Sequence, residues 1–282
     1  MPFVKKLNKS GKSVTRPTTS QPKTSGGVFG RRPLGLVMHG PPGVGKTSLW
    51  AYHKNVAFVH DPAEPGILDL IEYGQVPQPA QIEQVDTFND LLNVRIDSGI
   101  DLVVYDSLTG IEKLCFTQHC EEYFDGDWSN KGFLSYQQGP RNAAKTDWPR
   151  FLSSLDAHRN AGRNVVILAH TTIRQEPNPD GPDYSRFVPA ADKAIWEITS
   201  RWAQATLYYN FYVEAKIDPK EGMRKKVKSD DDRRMIYTSY SPAWEAKNRY
   251  GLETVINASG SPKTAYDALV KAFAKARTKA SH

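Results

Sequence analysis

The chain's apolar residues fall into short, nearly unbroken runs separated by longer polar stretches. LGLVMHG (34–40), NVAFVHD (55–61), DLVVYDS (101–107) and NVVILAH (164–170) are too short for ordinary helices and barely alternate. That is the pattern of strands buried on both faces. Between them, KTSLWAYHKN (46–55) reads as a short helix, and TFNDLLNVRIDS (87–98) as a helix capped by Asp86 and stopped by Gly99. Further helices are expected over 109–123, over 141–160 as one long element ending at Gly162, and over 190–203. ATLYYNFYVE (205–214) and MIYTSY (235–240) predict two late strands, with the block-charged KEGMRKKVKSDDDRR between them as a solvated hairpin tip. FDGDWSNKGFLSYQQGP (124–140) reads as loop. TTIRQEPNPDGPDYSRFVP (171–189), with four prolines and a PDG turn, reads as irregular.

Strands alternating with helices predict an α/β fold whose mostly parallel central sheet is flanked by helices on both faces. In such sheets ligands sit beyond the carboxyl ends of the strands. Three segments follow from composition: a disordered tail over 1–32, a core over 33–257, and a basic, Ala-rich helix and tail over 258–282.

The net charge of +6 changes this picture only at the front. Residues 1–32 hold eight Lys and Arg and no acid; removing those eight from 37 basic residues leaves 29 against 31 acidic, a body near −2. Such an arm suits a polyanion partner, and equally a solubilising leader. No apolar run approaches the roughly 18–20 residues of a membrane span, and no signal core opens the chain. No membrane partner is therefore expected, and the expected location is the cytoplasm, a bacterial host's if the gene is viral. Cys115 and Cys120 lack metal-ligand spacing and read as packed, reduced thiols.

Candidate chemistry begins at GPPGVGKT (40–47), a full match to GxxxxGK[ST]. Glycines allow backbone N–H groups to close on an anion, and the following helix turns its positive end toward it. Gly40, Pro41, Pro42, Gly43, Val44, Gly45, Lys46, Thr47 and Ser48 are the expected nucleotide contacts, with ATP and Mg²⁺ as cofactors. Lys46 would reach the β- and γ-phosphates, and the Thr47 hydroxyl would ligate Mg²⁺. Asp106 ends an apolar strand and suits a carboxylate holding Mg²⁺; the alternative is a helix cap, a role open to Ser107 as well. Asp61 and Glu64 in HDPAEPG both follow a strand end, where a general base would orient an attacking water, and chemistry alone does not separate them.

This ordered set resembles the RecA-like P-loop ATPase core. More closely, it resembles phage RecA-like ATPases of the AAA type, a group that includes single-strand annealing recombinases. GPPGVGKT (40–47), DPAEPG (61–66), VVYDSLT (103–109), residues 136–172 and EAKNRYG (245–251) carry the likeness, over about 33–257. The resemblance implies that Glu64 activates the water and that His170 senses the γ-phosphate where many relatives carry glutamine. It also implies that Lys247 and Arg249 enter a neighbour's ATP site within a ring or filament, a cation delivered to the transition state on assembly. Segments 124–141 and 172–190 would face DNA, giving Trp128, Lys131, Tyr136, Arg141, Arg174 and Arg186 as contacts to a single strand, rings on bases and cations on phosphates.

The expected function is accordingly ATP-dependent, single-stranded-DNA-binding recombination by annealing or strand exchange, with a single-strand-binding protein as a further partner. The alternatives are a RecA-fold helicase or translocase motor and a nucleotide-gated assembly protein that touches no DNA. Because histidine changes charge near neutrality, hydrolysis is expected to vary between about pH 6 and 7.5. Identical rate profiles for wild type and His170→Gln would remove that role for His170.

Overall fold

The computed structural model describes residues 27–30, 32–217 and 225–279. Its centre is a sheet ordered β10-β8-β7-β1-β5-β4-β2-β3. The strands are β1 (Gly35–Gly40), β2 (Val56–His60), β3 (Gln81–Gln84), β4 (Leu102–Asp106), β5 (Asn164–Glu176), β6 (Tyr184–Pro189), β7 (Ala205–Ile217), β8 (Lys225–Tyr237), β9 (Lys247–Asn248) and β10 (Val255–Asn257). From β3 across to β7 every neighbouring pair is parallel. β8 and β10 add an antiparallel margin. The expected mixed α/β class, a mostly parallel sheet flanked by helices, is what the chain adopts.

Both faces of the inner strands are dry, so odd and even positions feed two separate cores. Leu36, Met38, Val104, Val166 and Leu168 pack under α1 (Lys46–Trp50), α2 (Gly66–Glu72) and α8 (Pro262–Lys279). Val37, Val103, Tyr105, Val165 and Ile167 pack under α3 (Phe88–Leu92), α4 (Leu108–Phe124), α5 (Gln138–Thr146), α6 (Trp148–Asn160) and α7 (Lys193–Trp202). Two-sided burial is why these strands read as continuous apolar runs. Among the described residues, no helix is long and apolar enough to cross a membrane. Cys115 and Cys120 are buried and free, and burial pushes the Cys115 thiol up.

Several expectations are corrected. The 171–189 stretch is regular: β5 runs on to Glu176 and pairs antiparallel with β6, Arg174 standing opposite Arg186. Its first three prolines, Pro177, Pro179 and Pro182, fall in the connecting turn, where no ladder N–H is missed. The helix expected over 87–98 stops at Leu92; its cap is Thr87, in a capping box with Asp90, rather than Asp86. Val94 and Ile96 beyond it are partly buried at a strand-like spacing of two. The 141–160 helix breaks at Asp147, because Pro149 sits in the first turn of α6 and buried Asp147 accepts from His119 Nδ1 at 2.6 Å. The first helix ends at Trp50 instead of spanning 46–55.

The expected hairpin tip is mostly ladder, since β7 and β8 pair from Lys225 opposite Ile217; residues 220–224 of that stretch lie outside the described residues. Most of the expected disordered tail, 1–26, also lies outside them. Phe29, however, is core: its ring meets Trp50, His53, Tyr266 and Phe273 at centroid distances of 5.4–6.4 Å. α8 is likewise part of the core, burying Leu269 and Phe273.

Candidate nucleotide site

Strand β1 ends where it must touch a neighbour's backbone. A Cβ on Gly40 would stand 2.1 Å from the Tyr209 carbonyl oxygen, so only glycine fits where the chain leaves the sheet. The turn then passes through Gly43 at φ 74° and Gly45 at φ 99°, conformations that side chains resist, and delivers Lys46 and Thr47 into α1. Lys46 is buried, its Nζ donating to the carbonyls of Gly40 at 2.9 Å and Pro41 at 3.1 Å. Burial draws its pKa below the usual ammonium range, while the charges of Asp106 and Glu64 pull it back up. α1 has only five residues, so the cradle for an anion rests on the loop's N–H groups and Lys46 more than on a helix dipole.

The carboxyl ends of β2 and β4, and β5 at the level where β1 stops, complete the site. Thr47 Oγ1 donates to Asp106 Oδ2 at 2.7 Å, which brings together the two expected metal ligands. Burial raises Asp106 above the usual carboxylate range, and the Thr47 hydroxyl opposes that shift. A hydroxyl and a carboxylate side by side beneath a phosphate-shaped loop are a donor set that fits Mg²⁺. Ser107 occupies the N-cap position of α4 without a side-chain cap bond. His170 Nε2 lies 3.4 Å from Glu64 Oε1, and the imidazole holds the Glu64 carboxyl below its ordinary range.

The structure separates Asp61 from Glu64. Asp61 is buried, accepts from Ala63 N at 2.9 Å, and presses on α4 so closely that a Cβ on Gly110 would fall 1.8 Å from its Oδ2. Its carbonyl also accepts from Glu64 N at 3.2 Å. Asp61 therefore builds the turn, and half-buried Glu64 is the carboxylate left facing the site. Gly110 had no sequence signal of its own.

A family model for the AAA domain matches residues 32–250. The chain belongs to the AAA domain family. It is thereby a P-loop, nucleotide-binding ATPase. No curated protein matches it. Among solved structures it is similar to the flagellar accessory protein FlaH from Methanocaldococcus jannaschii, at 10% identity and a TM-score of 0.40, over 82% of this chain and 87% of that one.

The remaining candidates of this AAA domain are spread over three places. Lys247 and Arg249 lie beside the start of β7, where Asn248 pairs with Ala205 and Arg249 N donates to Gln204 O at 3.1 Å. Ala205 is level with Leu36 near the start of β1, so both cations sit at the far end of the sheet from their own P-loop. Lys247 donates to the Ser200 carbonyl and Arg249 is exposed. Arg174 and Arg186 stand on the β5–β6 hairpin, yet both are engaged internally. Arg174 donates to Ala191 O at 3.2 Å, and Arg186 donates to Trp244 O at 3.3 Å, lies 3.5 Å from Glu245 and covers the Tyr240 ring at 4.7 Å.

Trp128, Lys131, Tyr136 and Arg141 sit on or beside the α4–α5 connector, anchored by fully buried Phe133. Tyr136 is 95% exposed and held at φ 47°.

His39 is a site neighbour that sequence reasoning missed, although a polar residue inside the apolar run before Gly40 was a usable signal. Its Nε2 is 2.8 Å from the Glu245 carbonyl, which only accepts, so Nε2 carries the hydrogen. Nδ1 therefore accepts from the Thr171 hydroxyl at 2.9 Å. The ring ties β1 to the start of the β5–β6 hairpin and to the segment before β9. Burial lowers its pKa from 6.5 to about 3, aided by the charges of Lys46 and Arg186.

Between those values the unfolded chain binds a proton that the folded chain refuses, so stability should fall as pH drops below about 6.5. The expected slope from this residue is up to about 1.4 kcal/mol per pH unit. Urea unfolding at pH 7.5, 6 and 5 should show a shallower fall for His39→Gln than for wild type.

Proposed function

We propose that this AAA-domain ATPase binds Mg²⁺-ATP at the P-loop and couples its hydrolysis to recombination on single-stranded DNA, by annealing or strand exchange, in an oligomer. The observation that supports the hydrolytic part is the convergence of Lys46, the Thr47–Asp106 pair and the Glu64–His170 pair at the carboxyl ends of β1, β4 and β2 and at the level where β5 parts from β1. The loop N–H groups and Lys46 would hold the β- and γ-phosphates, with Thr47 and Asp106 holding the metal. Mg²⁺ bound there supplies charge neutralisation on the transferring phosphoryl group. Glu64, its pKa lowered chiefly by the hydrogen bond to His170, would orient a water and take its proton, and His170 would hold that carboxylate's orientation.

Strand β5 carries His170 and continues directly into the β5–β6 hairpin, which gives the nucleotide a short mechanical path to a surface element. Exposed Tyr136 and the 43% exposed Trp128, with Lys131 and Arg141 nearby, supply rings and cations of the kind single strands need. The internal engagement of Arg174 and Arg186 favours a second reading, nucleotide-gated assembly without DNA contact. ATP turnover with and without single-stranded DNA separates the two. Wild type is expected to be stimulated, Tyr136→Ala to lose most of the stimulation, and Lys46→Ala to lose turnover altogether. Turnover unaffected by any single strand would sink the DNA proposal and leave the assembly reading.

Because Lys247 and Arg249 lie at the opposite edge from their own triphosphate site, any contact with a phosphate would be made to a neighbouring subunit. Mixtures of Lys247→Ala and Lys46→Ala proteins, each inactive alone, should recover part of the turnover. No recovery at any ratio would count against the trans role.

A further inference from the structure

The catalytic groups give the site a direction. Glu64 follows β2, Asp106 ends β4, and His170 is the last residue of β5 paired with β1, all on one side of β1 in the sheet order. A triphosphate held by the P-loop must turn its γ end to that side. Its nucleoside end then projects to the other side, over β7 and β8.

What stands there is a wall that rises above the phosphate loop. β1 stops at Gly40, while β7 passes that level at Tyr209 and continues to Ile217, paired with β8. Tyr209 faces the loop: its hydroxyl stands 3.9 Å from where a Cβ on Gly45 would lie. Phe211, two residues on and before the register shift between Phe211 and Val213, presents its ring on the same face, one step of about 6.8 Å further out.

Opposite Phe211 on β8 is Arg234, whose guanidinium lies 5.5 Å from the ring centroid. Its Nη1 donates to Gly260 O at 3.3 Å, and its Nε is buried without a hydrogen-bond partner. Phe211, which packs against the core on one side, and Arg234, which lies over its ring, are both half-buried, so only part of the ring and of the cation is exposed.

We propose that Phe211 and Arg234 form the platform for the nucleoside of the bound triphosphate, with the base stacked against the Phe211 ring and the guanidinium serving the acceptor edge of the base or the ribose. The inference rests on the P-loop reading above. An aromatic face beside a planar, always charged donor is a recurrent way to hold a heterocycle. Stacking on such a ring typically changes affinity by about five- to a hundredfold on truncation.

Titration calorimetry in Mg²⁺ buffer with ATP and with inorganic tripolyphosphate tests it. Wild type should bind ATP more tightly than tripolyphosphate. Phe211→Leu, which keeps the apolar packing and removes the ring, should weaken ATP about tenfold or more and leave tripolyphosphate unchanged; Phe211→Ala should do the same if it folds. Lys46→Ala should lose both ligands. Unchanged ATP affinity in Phe211→Leu, with both ligands lost in Lys46→Ala, would overturn the platform and leave the phosphate site standing. Equal weakening of both ligands would assign Phe211 to packing and overturn it too. Wild-type protein that binds neither ligand would overturn the phosphate reading and this one with it.

Discussion

The whole carboxyl edge depends on one close approach, Gly40 against the backbone of Tyr209. Where β1 ends, there is no room for a side chain, and so the chain can lift off the sheet directly beneath the space an anion would fill. Everything that follows is referred to that point. The turn places Lys46 and Thr47, β4 brings Asp106 to Thr47, and the Asp61 turn presents Glu64 to His170. A bulkier residue at 40 would push β1 and β7 apart and misplace the loop and its partners together.

The site is electrostatically unfinished by itself. One buried ammonium is shared between two carboxylates, and burial works against the charged forms of both Lys46 and Asp106. Such a cluster is poorly solvated and carries more negative than positive charge, which a divalent cation beside Asp106 would offset, leaving Lys46 and the loop N–H groups for an anion. The Glu64–His170 contact is different in kind. It holds the Glu64 carboxyl below its ordinary range chiefly through a hydrogen bond rather than through a buried ammonium.

The strands and the nucleotide loop were legible because their signals are local: continuous apolar runs for two-sided burial, and glycines at fixed spacing before Lys-Thr. Edge elements were not, since β3 is the polar sequence QIEQ and only half-buried. The proline-rich hairpin misled because prolines mark turns, and Pro177, Pro179 and Pro182 do; what was missed is that strands flank the turn, the second ending on Pro189. Phe29 was missed because one ring in a basic, Ser/Thr-rich stretch carries no periodicity. The packing of Asp61 was not legible because the residue it presses on, Gly110, is more than forty positions away in sequence and leaves no room for a Cβ there.

Phe29 and α8 both lie outside the span matched by the AAA family, yet their rings close on each other through Phe273 and Tyr266 above His53, which is itself bound to Asp101. Two flanks that are remote in sequence thus behave as a single graft on a shared chassis. In evolutionary terms they should tend to be inherited as a pair: a homologue that has dispensed with one leaves the other resting on Trp50 or Tyr250 with part of its ring contacts uncovered.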